Sequence, residues 1–147
     1  VDRRCRVLAR VTSAGHRHDS LAFEPVMAAL RIRRRGPGRP RTRPARLLAD
    51  KAYSNAAIRS HLRRRHIKAV IPEPADQVRN RQARGRRGGR PPAFDPVAYK
   101  NRNIAERAIN TLKQFRAVAT RYDKRDYIWR GTVDAAAILI WLRGHGP

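Results

Sequence analysis

Several ingredients are scarce in this chain, and each scarcity excludes something. Its one cysteine, Cys5, rules out an internal disulfide and leaves a thiolate zinc cluster without ligands. A reduced, intracellular setting is therefore expected. Aromatic residues make up only 6% of the chain. Acids are few, 11 against 35 lysines and arginines. The longest apolar run, "AAAILIWL" near the C-terminus, has the length of a buried helix segment and is too short to span a bilayer. No signal-peptide pattern stands at the start. The first residue is Val1, not Met, and the chain passes almost at once into strand-like sequence, as though a domain were entered part-way through.

What is present is charge. The 147 residues are enough for one domain with a modest core, and the apolar share of 41% fits a globular protein. A formal net charge of +24 is extreme and makes a polyanion the expected partner, nucleic acid being the commonest. Most of the basic residues are arginine, and Ala, Gly and Pro are plentiful, so GC-rich coding is a second source of the same charge.

Periodicity sorts the chain into elements. "CRVLARVT" (5–12) alternates apolar and basic residues, the pattern of a half-buried strand. "GHRH" makes a turn, where His16 and His18 are expected as surface residues. Asp19 and Ser20 are placed to cap a helix through "LAFEPVMAALRI". "RRRGPGRPRTRP" reads as a loop. "ARLLAD" is a short buried strand ending on Asp50, Ser54 is placed to cap the basic helix "NAAIRSHLRRRH", and "IKAVI" is the next strand. Strand, helix and strand suggest a crossover with parallel strands. From Pro72 to Pro92 periodicity is lost. The segment at about 73–94 is expected as a basic, flexible loop within one domain, 1–147, with Glu73 and Asp76 tempering its charge. Asp95 followed by Pro96 restarts a helix expected to run to about Val118. Asp123 and Asp126 are expected as exposed pairs, and a last apolar helix covers Thr132 to Arg143.

The stretch "YKNRNIAERAINTLK" carries the chemistry. At about 100° per residue, Tyr99, Arg102, Glu106 and Lys113 project within about 60° of one another, while Ile104, Ala105, Ala108, Leu112 and Phe115 gather on another side. Taken alone, the polar row is also what a solvated face laced by an Arg102–Glu106 pair would look like. Asp50, likewise, could simply cap the turn after its strand, and Tyr53 could be packing.

The spacing Y-x-x-R-x-x-x-E, followed by K, resembles the signature of bacterial insertion-sequence transposases with a DDE catalytic domain. "LLADKAYSNAAIRSHLRRRHIKAVIP" is similar to that family's second-aspartate segment, and "GGRPPAFDPVAYKNRN" and "RYDKRDYIWRGTVDAAAILIWLR" resemble its connecting loop and closing helix. The likeness covers most of the chain. It implies an α/β fold of the ribonuclease H type, a mixed sheet flanked by helices, with carboxylates at the strand ends. It also implies that Asp50 and Glu106 are catalytic and hold Mg²⁺ in a two-ion site, with Mn²⁺ able to substitute. Tyr99, Arg102 and Lys113, with the loop arginines Arg84, Arg86, Arg87 and Arg90, would contact double-stranded DNA, both terminal inverted repeats and target. The reaction implied is phosphodiester cleavage and strand transfer by a nucleoid-associated, cytoplasmic protein, a homodimer when complete.

One departure matters. The family's first aspartate lies on an opening strand, and only Asp2 stands early here, at a position matching a hairpin turn. The expectation is a domain truncated at its N-terminus, its first strand missing and the chain inactive alone. Completion by an upstream half would restore it. The rival expectation is a non-catalytic basic DNA-binding protein.

Overall fold

The computed structural model describes residues 1–13 and 17–144. His16 lies outside the described residues. The architecture is mixed α/β and mostly helical, with one small parallel sheet. Its centre is a strand–helix–strand unit: β1 (Arg46–Leu48), α2 (Ala56–Arg64) and β2 (Lys68–Val70). The strands run parallel, with Arg46 opposite Lys68 and Leu48 opposite Val70. That crossover follows from two short apolar runs joined by a helix too long for a hairpin. Among the described residues, the other edge of β1 pairs with no strand.

Before this unit lies α1 (Phe23–Ala29), entered through a 3₁₀ turn at Asp19–Ala22. The turn is capped by His18, whose Nδ1 accepts from the Ser20 N–H at 3.2 Å, and not by Asp19 or Ser20. Phe23 and Met27 of α1 meet Ile58 and Leu62 of α2, together with Ile67 and Ile71, to form the core. Leu47, Ala49, Tyr53 and Ala69 pack around it. The α2 N-cap is Asn55, whose Oδ1 accepts from the Ile58 N–H at 2.8 Å. Ser54, the cap expected from sequence, stands one residue too early. It is buried instead, its hydroxyl bonded to Gln77 at 3.1 Å and to Arg59 at 2.8 Å.

That Gln77 belongs to α3 (Ala75–Ala83), inside the segment expected to be aperiodic. Pro74 opens the helix, and an Arg81 fork onto Glu73, at 2.8 and 3.2 Å, staples its end back to its start. A 3₁₀ turn, Gly85–Gly88, follows. The helix expected from Asp95 to Val118 is three helices: α4 (Pro96–Lys100), α5 (Asn103–Lys113) and α6 (Arg116–Thr120). The start is as expected, with Asp95 accepting from the Ala98 N–H at 2.8 Å and Pro96 in the first turn. The first break falls where Asn101, Arg102, Ile104 and Ala105 each donate three residues back, tightening the turn. The second falls at Phe115, whose backbone is extended.

The last helix, α7, runs from Asp126 to Arg143, six residues longer at its start than expected. No described helix is long and apolar enough to cross a membrane. Residues 5–12, expected as a strand, join no sheet. They lie against α7: the Trp141 indole donates to the Val7 carbonyl at 2.9 Å, Arg6 stacks 4.0 Å from the Trp141 ring, and Arg10 pairs with Asp134.

Candidate active site

Asp50 sits two residues beyond β1, where the strand gives way to a 3₁₀ turn, Lys51–Tyr53. Its Oδ1 caps that turn through the Lys51 N–H, so the capping role that sequence suggested is real. This leaves Oδ2 free to face outward. It meets an Arg102 guanidinium nitrogen at 3.3 Å. The other arm of the same guanidinium holds Glu106 Oε1 at 2.8 Å. One arginine therefore links two carboxylates from distant parts of the chain, one at a strand end and one in the first turn of α5. The helix start also favours Glu106 where it stands, since the positive end of α5 offsets a negative charge there.

The cluster is open to solvent: the Asp50 side chain is 47% exposed and that of Glu106 55%. At such exposure the pairs add little to stability. What they establish is proximity.

The other expected residues stand farther off. Tyr99 is half-buried in α4, its ring 5.3 Å from Phe94. Lys113 is exposed at the end of α5, about 10 Å along the helix from Glu106. The bend at Asn101–Arg102 interrupts the single helical row on which Tyr99 was placed. Arg84, Arg86, Arg87 and Arg90 are all exposed, and none makes an ion pair among the described residues.

Asp2 is engaged in its own turn. Burial alone would raise its pKa, but hydrogen bonds from Arg6 and from the backbone N–H groups of Arg6 and Arg4 hold it below the usual carboxylate range. Tyr53, beside Asp50, has its hydroxyl pKa raised, chiefly by burial and then by Asp19 and Asp50, as suits a packing residue at the core's edge. Asp123 accepts from the Thr132 hydroxyl at 2.8 Å, and Asp126 pairs loosely with Arg130 at 3.7 Å.

Two features near the cluster were not legible in sequence. A surface groove is lined by Asp50, Lys51, Asp76 and Arg79, so Asp76 shares a wall with Asp50 instead of only tempering charge. An apolar cleft of about 290 Å³ runs beside the open edge of β1, between Leu8 and Ala9, Met27 of α1 with Leu30 just after it, and Ile104 and Ala105 of α5. Arg102 also lines it.

The geometry brings a strand-end aspartate and a helix glutamate onto one cation, an arrangement suited to holding a positive ion between acidic oxygens. The transposase DDE domain family matches residues 1–139. The chain belongs to that family. Comparison with curated proteins finds no match, and comparison with solved structures finds none. As a DDE transposase domain it acts in DNA transposition, which requires binding DNA, and its family uses divalent metal ions. The donor set fits a hard cation in kind, since both candidate ligands are carboxylate oxygens. It falls short in number, because no group of three or more His, Cys, Asp or Glu among the described residues is placed to hold a metal.

Proposed function

We propose that this chain is the transposase of a bacterial insertion sequence, contributing Asp50 and Glu106 to the catalytic site of a ribonuclease H-like domain. The observation that carries this is the Arg102 fork, which joins Asp50 and Glu106 across the fold. In this reading the two carboxylates hold Mg²⁺, with Mn²⁺ able to substitute. When bound there, such ions lower the pKa of an attacking water or 3′-hydroxyl and stabilise the departing oxygen.

The protein's own groups do the positioning. Arg102 occupies the space between the acids until a DNA phosphate offers it a better bidentate partner. Its departure toward the phosphate frees both carboxylates at the moment DNA arrives. Lys113 meets the backbone farther along α5, and the Tyr99 hydroxyl orients a phosphate from α4. Arg84, Arg86, Arg87 and Arg90 hold the duplex without reading its bases. Terminal inverted repeats and target DNA are the partners, and a homodimer pairs the two element ends.

Residues 1–147 supply two of the three carboxylates in this reading, so cleavage requires a third from outside them, and the chain by itself is inactive. The open edge of β1, with its apolar cleft, suits a further strand that would carry it, and such a strand would complete the mixed sheet. The test pairs cleavage with binding. Glu106→Gln and Asp50→Asn, in a protein that carries the third carboxylate, should abolish strand cleavage while leaving duplex affinity within about twofold, since neither touches a phosphate. Cleavage that survives both changes rejects the site. Binding with no cleavage in any form, completed or not, favours a non-catalytic DNA-binding protein instead.

A further inference from the structure

The segment between α1 and β1 is the most one-sidedly charged part of the molecule. From Arg31 to Arg46 it holds eight arginines and no acid. None of the eight makes an ion pair among the described residues. The segment was expected as a loop, yet it is an organised hairpin. Ile32 and Arg41 exchange backbone hydrogen bonds at 2.9 and 2.8 Å, and the Arg34 guanidinium donates to the Arg39 carbonyl at 3.1 Å across the tip. Its base is fixed to the core layer, where Arg65 donates to the Thr42 carbonyl at 2.9 Å and Lys68 N–H to the Ala45 carbonyl at 3.1 Å. Residues 33–41 are all exposed. The hairpin is thus a firmly mounted projection of unpaired cations.

Charge alone calls for a polyanion, but the tip, Gly36-Pro37-Gly38-Arg39-Pro40, says more. Gly38 has φ +119°, which side-chain-bearing residues rarely adopt, so the turn itself requires it. Gly36 is different. Its φ is not positive, and a Cβ there would meet nothing within 4 Å, so the fold makes no demand for glycine. That bareness leaves this flank of the tip open to close approach. Pro40 keeps Arg39 extended, and the result is a narrow ridge with one arginine between small or rigid neighbours. A phosphate contact needs charge but not a thin edge. The minor groove needs both: it is about 6 Å wide, and in A·T-rich tracts it narrows and concentrates negative potential that draws in arginine.

We propose that the hairpin Ile32–Arg41 is a minor-groove contact for A·T-rich duplex DNA, with Arg39 in the groove and Arg35, Arg41 and Arg43 on the flanking phosphates. This rests on the DNA-binding reading above and adds a sequence preference to it. It assigns base discrimination to the hairpin, whereas Arg84 to Arg90 supply uniform backbone affinity.

The experiment measures binding of the full chain, by fluorescence anisotropy at one fixed salt concentration, to two labelled duplexes of equal length. One has a central A-tract and the other a G·C-only centre. The wild type is expected to favour the A-tract by about tenfold, the scale of one base-pair discrimination. Arg39→Ala should abolish that preference, and Gly36→Val, whose side chain enters open space, should do the same with every charge retained. Arg87→Ala should weaken both duplexes equally. Equal binding of the two duplexes by the wild type, or an unchanged preference in Arg39→Ala, overturns the hairpin assignment while leaving the transposase reading intact. A preference for the G·C duplex that Arg39→Ala removes also overturns it, in favour of major-groove contact. Failure of the wild type to bind either duplex overturns both readings.

Discussion

With its two arms on different carboxylates, the Arg102 guanidinium offsets a repulsion that would otherwise set Asp50 against Glu106. Because both carboxylates are about half exposed and Arg102 itself is only partly buried, Arg102→Ala should change stability by about 1 kcal/mol at most, a shift of a few degrees in a thermal melt. Its effect on cleavage by the completed enzyme should be far larger, on the order of 100-fold, because a displaced phosphate is a displaced reacting atom. A melt shifted by more than ten degrees would mean that the cluster is a structural staple. A second residue-scale effect concerns Glu73. Hydrogen bonds from Arg81 hold its carboxyl below the usual glutamate range. With a lowered folded pKa, this contribution is complete above the ordinary glutamate value and is lost as pH falls through the lowered one. Acidification below about pH 4 should therefore loosen α3, and Glu73→Gln should flatten that limb of a helicity-versus-pH curve. An identical acid limb in the variant would assign the transition elsewhere.

At the scale of elements, the tightest constraint is at Gly88. A Cβ there would lie 2.0 Å from the Arg81 carbonyl oxygen, a contact that no rotamer relieves because the Cβ position is fixed by the backbone and its partner is backbone. Gly88→Ala must open the 3₁₀ turn away from α3, and trypsin should then cut between Arg81 and Arg90 faster than in the wild type. Unchanged digestion would show that the turn is already open in solution. The same stretch shows where sequence reading ends. β1, α2 and β2 were legible because "LLAD" and "IKAVI" are apolar runs around an amphipathic helix, and the start of α4 because Asp95-Pro96 is a local signal. α3 was not, since what holds it carries no helical period: Gln77 reaches back to Ser54, and Arg81 to Glu73 ahead of the helix. Residues 5–12 have a strand's alternation but spend it on Trp141 and Asp134 of α7, over 120 positions away. The candidate site divides the same way. Helical spacing put Arg102 beside Glu106, but nothing local could put Arg102 beside Asp50, 52 residues earlier; only the family resemblance paired those acids.

For the whole molecule, a net charge of +24 makes every interaction with DNA a function of salt. Replacing Arg84, Arg86, Arg87 and Arg90 together by alanine should lower the slope of log affinity against log salt by about three to four, if each meets a phosphate. An unchanged slope would show that these arginines are merely solvated. The proposed chemistry, however, falls to Asp50 and Glu106. Its most direct test is strand cleavage of an end-labelled duplex carrying the element's terminus, with Mg²⁺ present and the third carboxylate supplied. The wild-type Asp50 and Glu106 should give a nick at the element end, and Asp50→Asn and Glu106→Gln should each give none while still retarding the duplex. A nick that persists in either variant would contradict the site.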